Sequence, residues 1–418
     1  MFYYIIMSKP YITYFQMKCG SFRVMKSDTL GGAQGDTDEM FTYERLPESV
    51  KNKYHVFKGY EASDDGLSDF HADFKVWCNE LKKNDVYNIN YSYYFSHRTA
   101  VDAIFKRLAK GKFEGIQEVS ELEGVYMGKC HNGGLTYCEE YTGQCHGYDF
   151  NAYYPRTLAS RIFEIPVRQG EECYTNIFKL FKSKTPLKYG MYKVKITSAN
   201  PEAKKVFAFS KKNHYTHYSI QFARDNMKEF DFKFAYYKED DGYNSYVYDD
   251  DDLIKGDEIF SKWLKTLTDL RAILPKNKLL KHLLTSLWGC VTRSKSINRT
   301  YEDIIDQKLD VGHGDETHYQ IHDHVINDKN DYYVLHNNRE RYYYGLARIK
   351  PFLVSYARNR TAKVGMKDID SVIRIHTDNV TFNAEQDMNG VKNILPEDKT
   401  TGHLKWRGIV NQKPIRLP

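Results

Sequence analysis

The sequence predicts an α+β fold built on an antiparallel sheet, with a separate two-helix element. Three observations lead there. Phe260, Trp263, Leu264, Leu267, Leu270 and Leu274 recur at spacings of three and four, Pro275 interrupts, and Leu279, Leu280, Leu283, Leu284, Leu287 and Trp288 repeat the pattern. That is the periodicity of two amphipathic helices joined by a tight tip. The segment VIRIHTDNVTF, from Val372 to Phe382, alternates and is rich in β-branched residues, which predicts a hairpin turning at His376 to Asn379. Finally, HGYDFNAYYP, from His146 to Pro155, reads as a strand running into a short helix.

The elements follow in order. Residues 1–128 mix short strand-like runs with polar loops, such as 29–38 with its three glycines, and hold one long helical candidate over 84–108. From Gly133 the character changes, and the short helix after Asp149 is expected to continue through Leu158 and Ile162. Residues 186–252 read as strands and loops, ending in the acidic run from Tyr248 to Asp252, by default a solvated loop. The helix pair comes next, then a helix over 345–365, the hairpin, and a basic, extended ending that contains Lys405. The expected domains are 1–128, 129–258, 259–300 and 301–418, since single cores rarely grow past about 250 to 300 residues.

Composition narrows the function classes. Among 418 residues, 41% hydrophobic and 28% charged, no apolar run approaches a bilayer span, so no membrane partner is expected. The start, MFYYIIMSKPYITYF, has no basic leader, and Lys9 and Pro10 interrupt its apolar stretch, which predicts an intracellular location. Seven cysteines in such a chain suggest reduced thiols. The group Cys130, His131, Cys138, Cys145 and His146 lacks the close cysteine pairs of structural zinc sites and reads as ordinary side chains. A net charge of +6 is too mild to indicate nucleic acid by itself. Thirty-five Tyr and 23 Phe interleaved with Lys suit a groove that stacks bases and meets phosphates, and equally suit a biased codon usage.

Transfer of a nucleotide to a growing strand uses two divalent ions bridged by carboxylates, one ion at the attacking oxygen and one at the triphosphate. Asp149, at a strand end, and Asp378, at a hairpin tip, meet that requirement if the sheet brings them together.

Their surroundings make the pair specific. DFNAYYP (149–155) resembles the first polymerase motif of family B DNA polymerases, Asp-x-x-Ser-Leu-Tyr-Pro, with Ala152 and Tyr153 as departures. KHLLTSLWG (281–289) resembles the second, Lys-x-x-x-Asn-Ser-x-Tyr-Gly, with Thr285 for Asn and Trp288 for Tyr. IHTDN (375–379) resembles the third, Tyr-x-Asp-Thr-Asp-Ser, and the three occur in the family's order. HNGGLTY (131–137) is similar to the Tyr-x-Gly-Gly segment of the protein-primed branch, found in phages, adenoviruses and linear plasmids. FSKWLKTL and YGLARIKPFLVSYAR (344–358) also look like segments of that branch. LKKNDV (81–86) resembles its third exonuclease motif, with Leu81 in place of tyrosine and Asp85 as the acid.

The resemblance implies a palm with an antiparallel sheet, a two-helix fingers element, a reduced amino-terminal exonuclease-like region and no thumb. It implies DNA-directed DNA polymerase activity with two Mg2+ or Mn2+ ions and deoxynucleoside triphosphates. Asp149, Asp378 and the carbonyl of Phe150 would hold the ions. Lys281 would meet the triphosphate, with Arg271, Lys278 and Thr285 near it. Tyr154 would exclude a ribose 2′ hydroxyl. Gly133, Gly134, Trp288, Gly289 and Lys405 would approach the DNA. The implied partners are template and primer DNA, a terminal protein that supplies the first hydroxyl, and a second polypeptide for the missing exonuclease or thumb parts.

Two departures set the alternative. The third motif carries His376 where the family has its first acid, and a protonated imidazole beside two metal ions would be repelled, which predicts sensitivity to low pH. No Asp-x-Glu triplet precedes Asp85, so proofreading is not expected. The competing readings are a catalytically inactive or split-polymerase DNA-binding fragment, and an unrelated two-carboxylate nuclease, which would not need the lysine-bearing helix.

Overall fold

A computed structural model describes residues 11–16, 21–27, 36–42, 97–387 and 404–412, apart from 110, 113–114, 131, 274–277, 314–316 and 328–329. The chain divides into two compact units, one of Met1–Phe113 with Phe260–Cys290 and one of Glu114–Ile259 with Val291–Pro418. The fold is mixed helix and antiparallel sheet. The exonuclease-like segment with Asp85, the helix tip at Pro275, and His131 lie outside the described residues.

In the first unit, strands Tyr11–Gln16, Ser21–Ser27 and Asp36–Thr42 form an antiparallel sheet. Of the helix expected over 84–108, the described part is His97–Leu108. Its Phe105 stacks on Phe260 at 5.1 Å and meets Trp263 edge-on at 6.4 Å, tying it to the helix Gly256–Ile273. The apolar residues that predicted this helix and the next, Lys278–Val291, are the ones they bury: Phe260, Trp263, Leu264, Leu267, Leu270, Leu283, Leu284 and Leu287.

The second unit is organised around a five-stranded antiparallel sheet, in the order Leu404–Gln412, Gly143–Phe150, Asn379–Phe382, Val372–His376, Thr136–Cys138. Val372, Val380 and Phe382 are fully buried, and each stabilises by about 1.5 to 3 kcal/mol through area removed from water. The core between this sheet and the helices contains Tyr148, Phe150, Tyr153, Tyr215, Ile220 and Ala357. The long helix Ile349–Gly365 packs against the helix His217–Asp225 and against the short helix Tyr153–Leu158.

A buried ion pair anchors the long helix. Arg348, at its start, and Glu123 are both fully buried; Nε and Nη2 of the guanidinium donate to the two carboxylate oxygens at 2.6 and 2.8 Å. Tyr248 donates to the same carboxylate at 2.7 Å, and Arg348 also donates to the Glu118 and Gln117 carbonyls. Burying two charges is costly unless every polar atom finds a partner, and here the pairing is close to complete.

Three sequence expectations change. The region 186–252 contains the helix His217–Asp225 beside its strands, because Ser219, Ile220, Phe222 and Ala223 bury against the core and packing overrides weak local preference. The short helix after Asp149 stops at Leu158, and Ile162 is exposed. The acidic run is ordered: Asp250–Asp252 forms a 3-10 turn whose Asp252 pairs with Arg168, while the preceding Asp249 pairs with Lys188.

Candidate active site

The hairpin Val372–His376 and Asn379–Phe382 forms two middle strands of the sheet, turning through Thr377 and Asp378. Asn379 lies directly opposite Asp149, and the Phe150 amide donates to the Asp378 carbonyl at 3.0 Å. The two carboxylate-bearing residues of the sequence reading are therefore neighbours across adjacent strands. Both are half-buried.

Register extends this adjacency across the whole sheet. Thr136 pairs with His376, His376 with Asn379, Asn379 with Asp149, and Asp149 with Lys405. Residues directly opposite one another share a face. One residue from each strand thus contributes to a row containing a hydroxyl, an imidazole, an amide, a carboxylate and, at the register position opposite Asp149, a lysine. The Asn379 side chain is held by a 3.0 Å bond from the Thr381 hydroxyl.

The turn beside the row is unusually constrained. Thr377 has φ of +57°, a left-handed conformation that costs a β-branched residue about 1 to 2 kcal/mol. Its amide donates to the Leu135 carbonyl at 2.8 Å, its carbonyl accepts from the Thr361 hydroxyl at 2.8 Å, and its own hydroxyl donates to Asp378 Oδ1 at 2.9 Å. A Cβ on Gly134 would come within 2.7 Å of the Thr377 methyl, so only glycine permits this approach. Gly133, at φ +67°, makes the turn into that segment, and its carbonyl accepts from Arg358 Nη1 at 2.9 Å. Of the two glycines expected at the DNA, Gly134 thus packs against the turn that bears Asp378, and Gly133 is held by Arg358.

Electrostatics follow from burial. Arg358 is buried, which lowers its pKa to about 10, and its hydrogen bonds run to a carbonyl and to the Ser219 hydroxyl. Tyr154 is pushed up to about 12, first by burial and then by the negative charge of Asp378. The charge of Asp378 thus acts on the phenol and favours its neutral form. Tyr153 stacks on Phe150 at 4.4 Å and donates to the Ala357 carbonyl at 2.6 Å, so it serves the core.

The donor set suits a hard cation. Two carboxylates and a peptide carbonyl are oxygen ligands of the kind Mg2+ takes alongside substrate phosphates. Among the described residues no group of three or more His, Cys, Asp or Glu is placed to hold a metal.

The remaining expected residues, Arg271, Lys278, Lys281, Thr285, Trp288 and Gly289, belong to the first unit. On its second long helix Lys281, Thr285 and Gly289 follow at every fourth position and are exposed, opposite the buried Leu283, Leu284 and Leu287. The Thr285 hydroxyl is taken by the Lys281 carbonyl at 3.0 Å. Sequence reasoning missed Thr361, Arg358 and Thr377. The segment 344–358 was noticed, but nothing in it announces which helical turn meets the hairpin.

No family model matches the chain, and no curated protein does. Among solved structures, it is similar to Phi29 DNA polymerase complexed with single-stranded DNA, at a TM-score of 0.49 and 13% identity over 90% of this chain and 60% of that one. It is similar also to Phi29 DNA polymerase complexed with primer-template DNA in a post-translocation binary complex, at 0.48 and 14% over 89% and 59%. The chain spans about three-fifths of the length of these proteins. No helix among the described residues is long and apolar enough to cross a membrane.

Proposed function

We propose that this chain is a DNA-directed DNA polymerase of family B, related to the protein-primed branch, which adds deoxynucleotides to a primer or a terminal-protein hydroxyl. The observation that supports it most is the adjacency of Asp149 and Asp378 in the register of the sheet, within motifs that occur in the family's order.

Asp149, Asp378 and the Phe150 carbonyl would hold Mg2+ or Mn2+. Bound there, the ions would stabilise negative charge on the triphosphate and the attacking oxygen. The chain's own residues supply the rest. The pinned turn keeps the Asp378 carboxylate directed without reorganisation. Tyr154 stays neutral and half-buried beside it, a bulky wall suited to excluding a ribose hydroxyl. His376 takes the place of an acid in the row, so the site relies on Asp149 and Asp378 alone for its carboxylates.

Primer extension with Mg2+ or Mn2+ tests the reading. The parental chain should incorporate deoxynucleotides, and Asp149→Asn and Asp378→Asn should not. A folded, DNA-binding parental protein that incorporates nothing with either ion would favour the inactive DNA-binding fragment.

A further inference from the structure

We infer that Thr361, on the long helix Ile349–Gly365, is a positioning residue for Asp378: its hydroxyl holds the Thr377 carbonyl and so maintains the strained turn that aims the carboxylate. The inference rests on the proposed metal-binding role of Asp378, but its structural half stands independently of any metal.

Thr361 is fully buried. Its hydroxyl lies 2.8 Å from the Thr377 oxygen and 3.5 Å from the Tyr153 hydroxyl, so the shorter bond is the one to the Thr377 carbonyl. The left-handed Thr377 is strained, and hydrogen bonds made in a buried setting oppose that strain. The Leu135 carbonyl supplies one such bond on the amide side and Thr361 the other on the carbonyl side. The two bonds hold the residue from both sides against that strain. Losing the Thr361 bond therefore leaves an orphaned carbonyl and a conformation with too little to hold it.

Release of the turn has a specific consequence. The Thr377 hydroxyl donates to Asp378 Oδ1 only while residue 377 keeps its backbone conformation, and the Phe150 amide, next to Asp149, bonds the Asp378 carbonyl in the same arrangement. Both carboxylate-bearing residues are thus set by one turn. Arg358, one helical turn before Thr361, holds the Gly133 carbonyl, and Gly134 packs under the Thr377 methyl. The long helix thereby clamps the turn from the carbonyl side and the glycine segment beneath it.

Thr361→Val keeps the shape and removes the donor, and Thr361→Ser restores the donor without the methyl. Two readouts separate the possibilities. Hydrogen exchange of the Thr377 and Phe150 amides, without metal, should quicken in Thr361→Val and return in Thr361→Ser. Mn2+ affinity, measured by titration calorimetry on the intact protein, should fall about tenfold in Thr361→Val and recover in Thr361→Ser, with Asp378→Asn defining loss of the site. Unchanged exchange at both amides, or unchanged Mn2+ affinity in Thr361→Val, overturns the inference. If the parental protein binds no Mn2+, the metal-site reading is what fails, and the exchange rates alone decide whether Thr361 governs the turn.

Discussion

Two hairpins of the second unit follow one another in sequence and differ in what surrounds them. Val372–His376 with Asn379–Phe382 lies within a five-stranded sheet, flanked on both sides by paired strands. Tyr319–Asn327 with Asn330–Asn337 belongs to a four-stranded sheet with Ser296–Arg299 and the two-residue Val311–Gly312. In the first, both strands of the hairpin bury apolar side chains, Val372, Ile373 and Ile375 on one and Val380 and Phe382 on the other. In the second, Ile326 is 69% exposed, and near the tip His324 Nε2 lies 2.7 Å from Asp331 Oδ1 in an exposed contact. Chemistry is expected where the backbone is over-determined, because a carboxylate that must hold one direction needs neighbours unable to move.

The largest effect should come from the tip residues themselves. Asp378→Asn or Asp149→Asn should slow primer extension at least about a hundredfold, the factor that about 2.7 kcal/mol of lost transition-state contact represents. Asp331→Asn, in the other hairpin, should leave the rate within about twofold, as expected for an exposed pair. Equal losses in both hairpins, measured by single-turnover kinetics, would remove the distinction.

Crowding gives a second comparison. A Cβ on Gly134 would meet the Thr377 methyl at 2.7 Å, and one on Gly312 would meet the Thr317 methyl at 2.8 Å. The gaps match, but Thr377 is fixed on all sides whereas Gly312 sits in an edge strand. Gly134→Ala should therefore cost about 1 to 3 kcal/mol in denaturant unfolding, and Gly312→Ala less than about 1 kcal/mol. A reversed order would show that the turn near Asp378 yields easily.

Acid should distinguish core from periphery. Burial lowers the pKa of His217 to about 3, and burial with the nearby His322, Arg341 and Lys350 lowers that of His336, in the second hairpin, to about 4. The unfolded chain protonates near pH 6.5. Stability from each histidine is therefore fully present above that pH and is lost as pH falls toward the folded value. His336→Asn should flatten part of the decline in melting temperature between pH 6.5 and 4, leaving the part due to His217. An unaltered decline would mean that His336 charges freely in the folded protein. Smallest of all, Ile326→Lys should change stability by no more than about 0.5 kcal/mol.

Much of this was legible in the sequence, and the limits have physical causes. The hairpin turn at 376–379 and the helices on either side of Pro275 follow from local periodicity, and local periodicity is what the chain displays. The helix His217–Asp225 was not legible, because its aromatic and β-branched residues have weak helix preference and gain stability only by packing on a neighbour distant in sequence. Asp149 and Asp378 were paired on the resemblance of their segments to family motifs, and the sheet brings the two residues side by side. The row from Thr136 to Lys405 was not legible, since register between five separated segments is a tertiary property. Thr361 escaped for a similar reason: a buried threonine on a helix is unremarkable until its hydroxyl is seen to reach a carbonyl sixteen residues away.

The cross-strand row also bears on when the protein becomes competent. Its members are drawn from segments that lie between Thr136 and Lys405 in the chain, so the pairings close very long loops, and such contacts form late and slowly. The strand carrying Lys405 zips along the free side of the strand carrying Asp149, and until it does, that strand presents an open edge prone to pairing with another molecule. During synthesis the strand Gly143–Phe150 must wait for Leu404–Gln412, made much later in the chain, to emerge from the ribosome. Maturation of the site should accordingly be a late event of folding, and a hazard of the nascent chain should be aggregation through the edge of Gly143–Phe150.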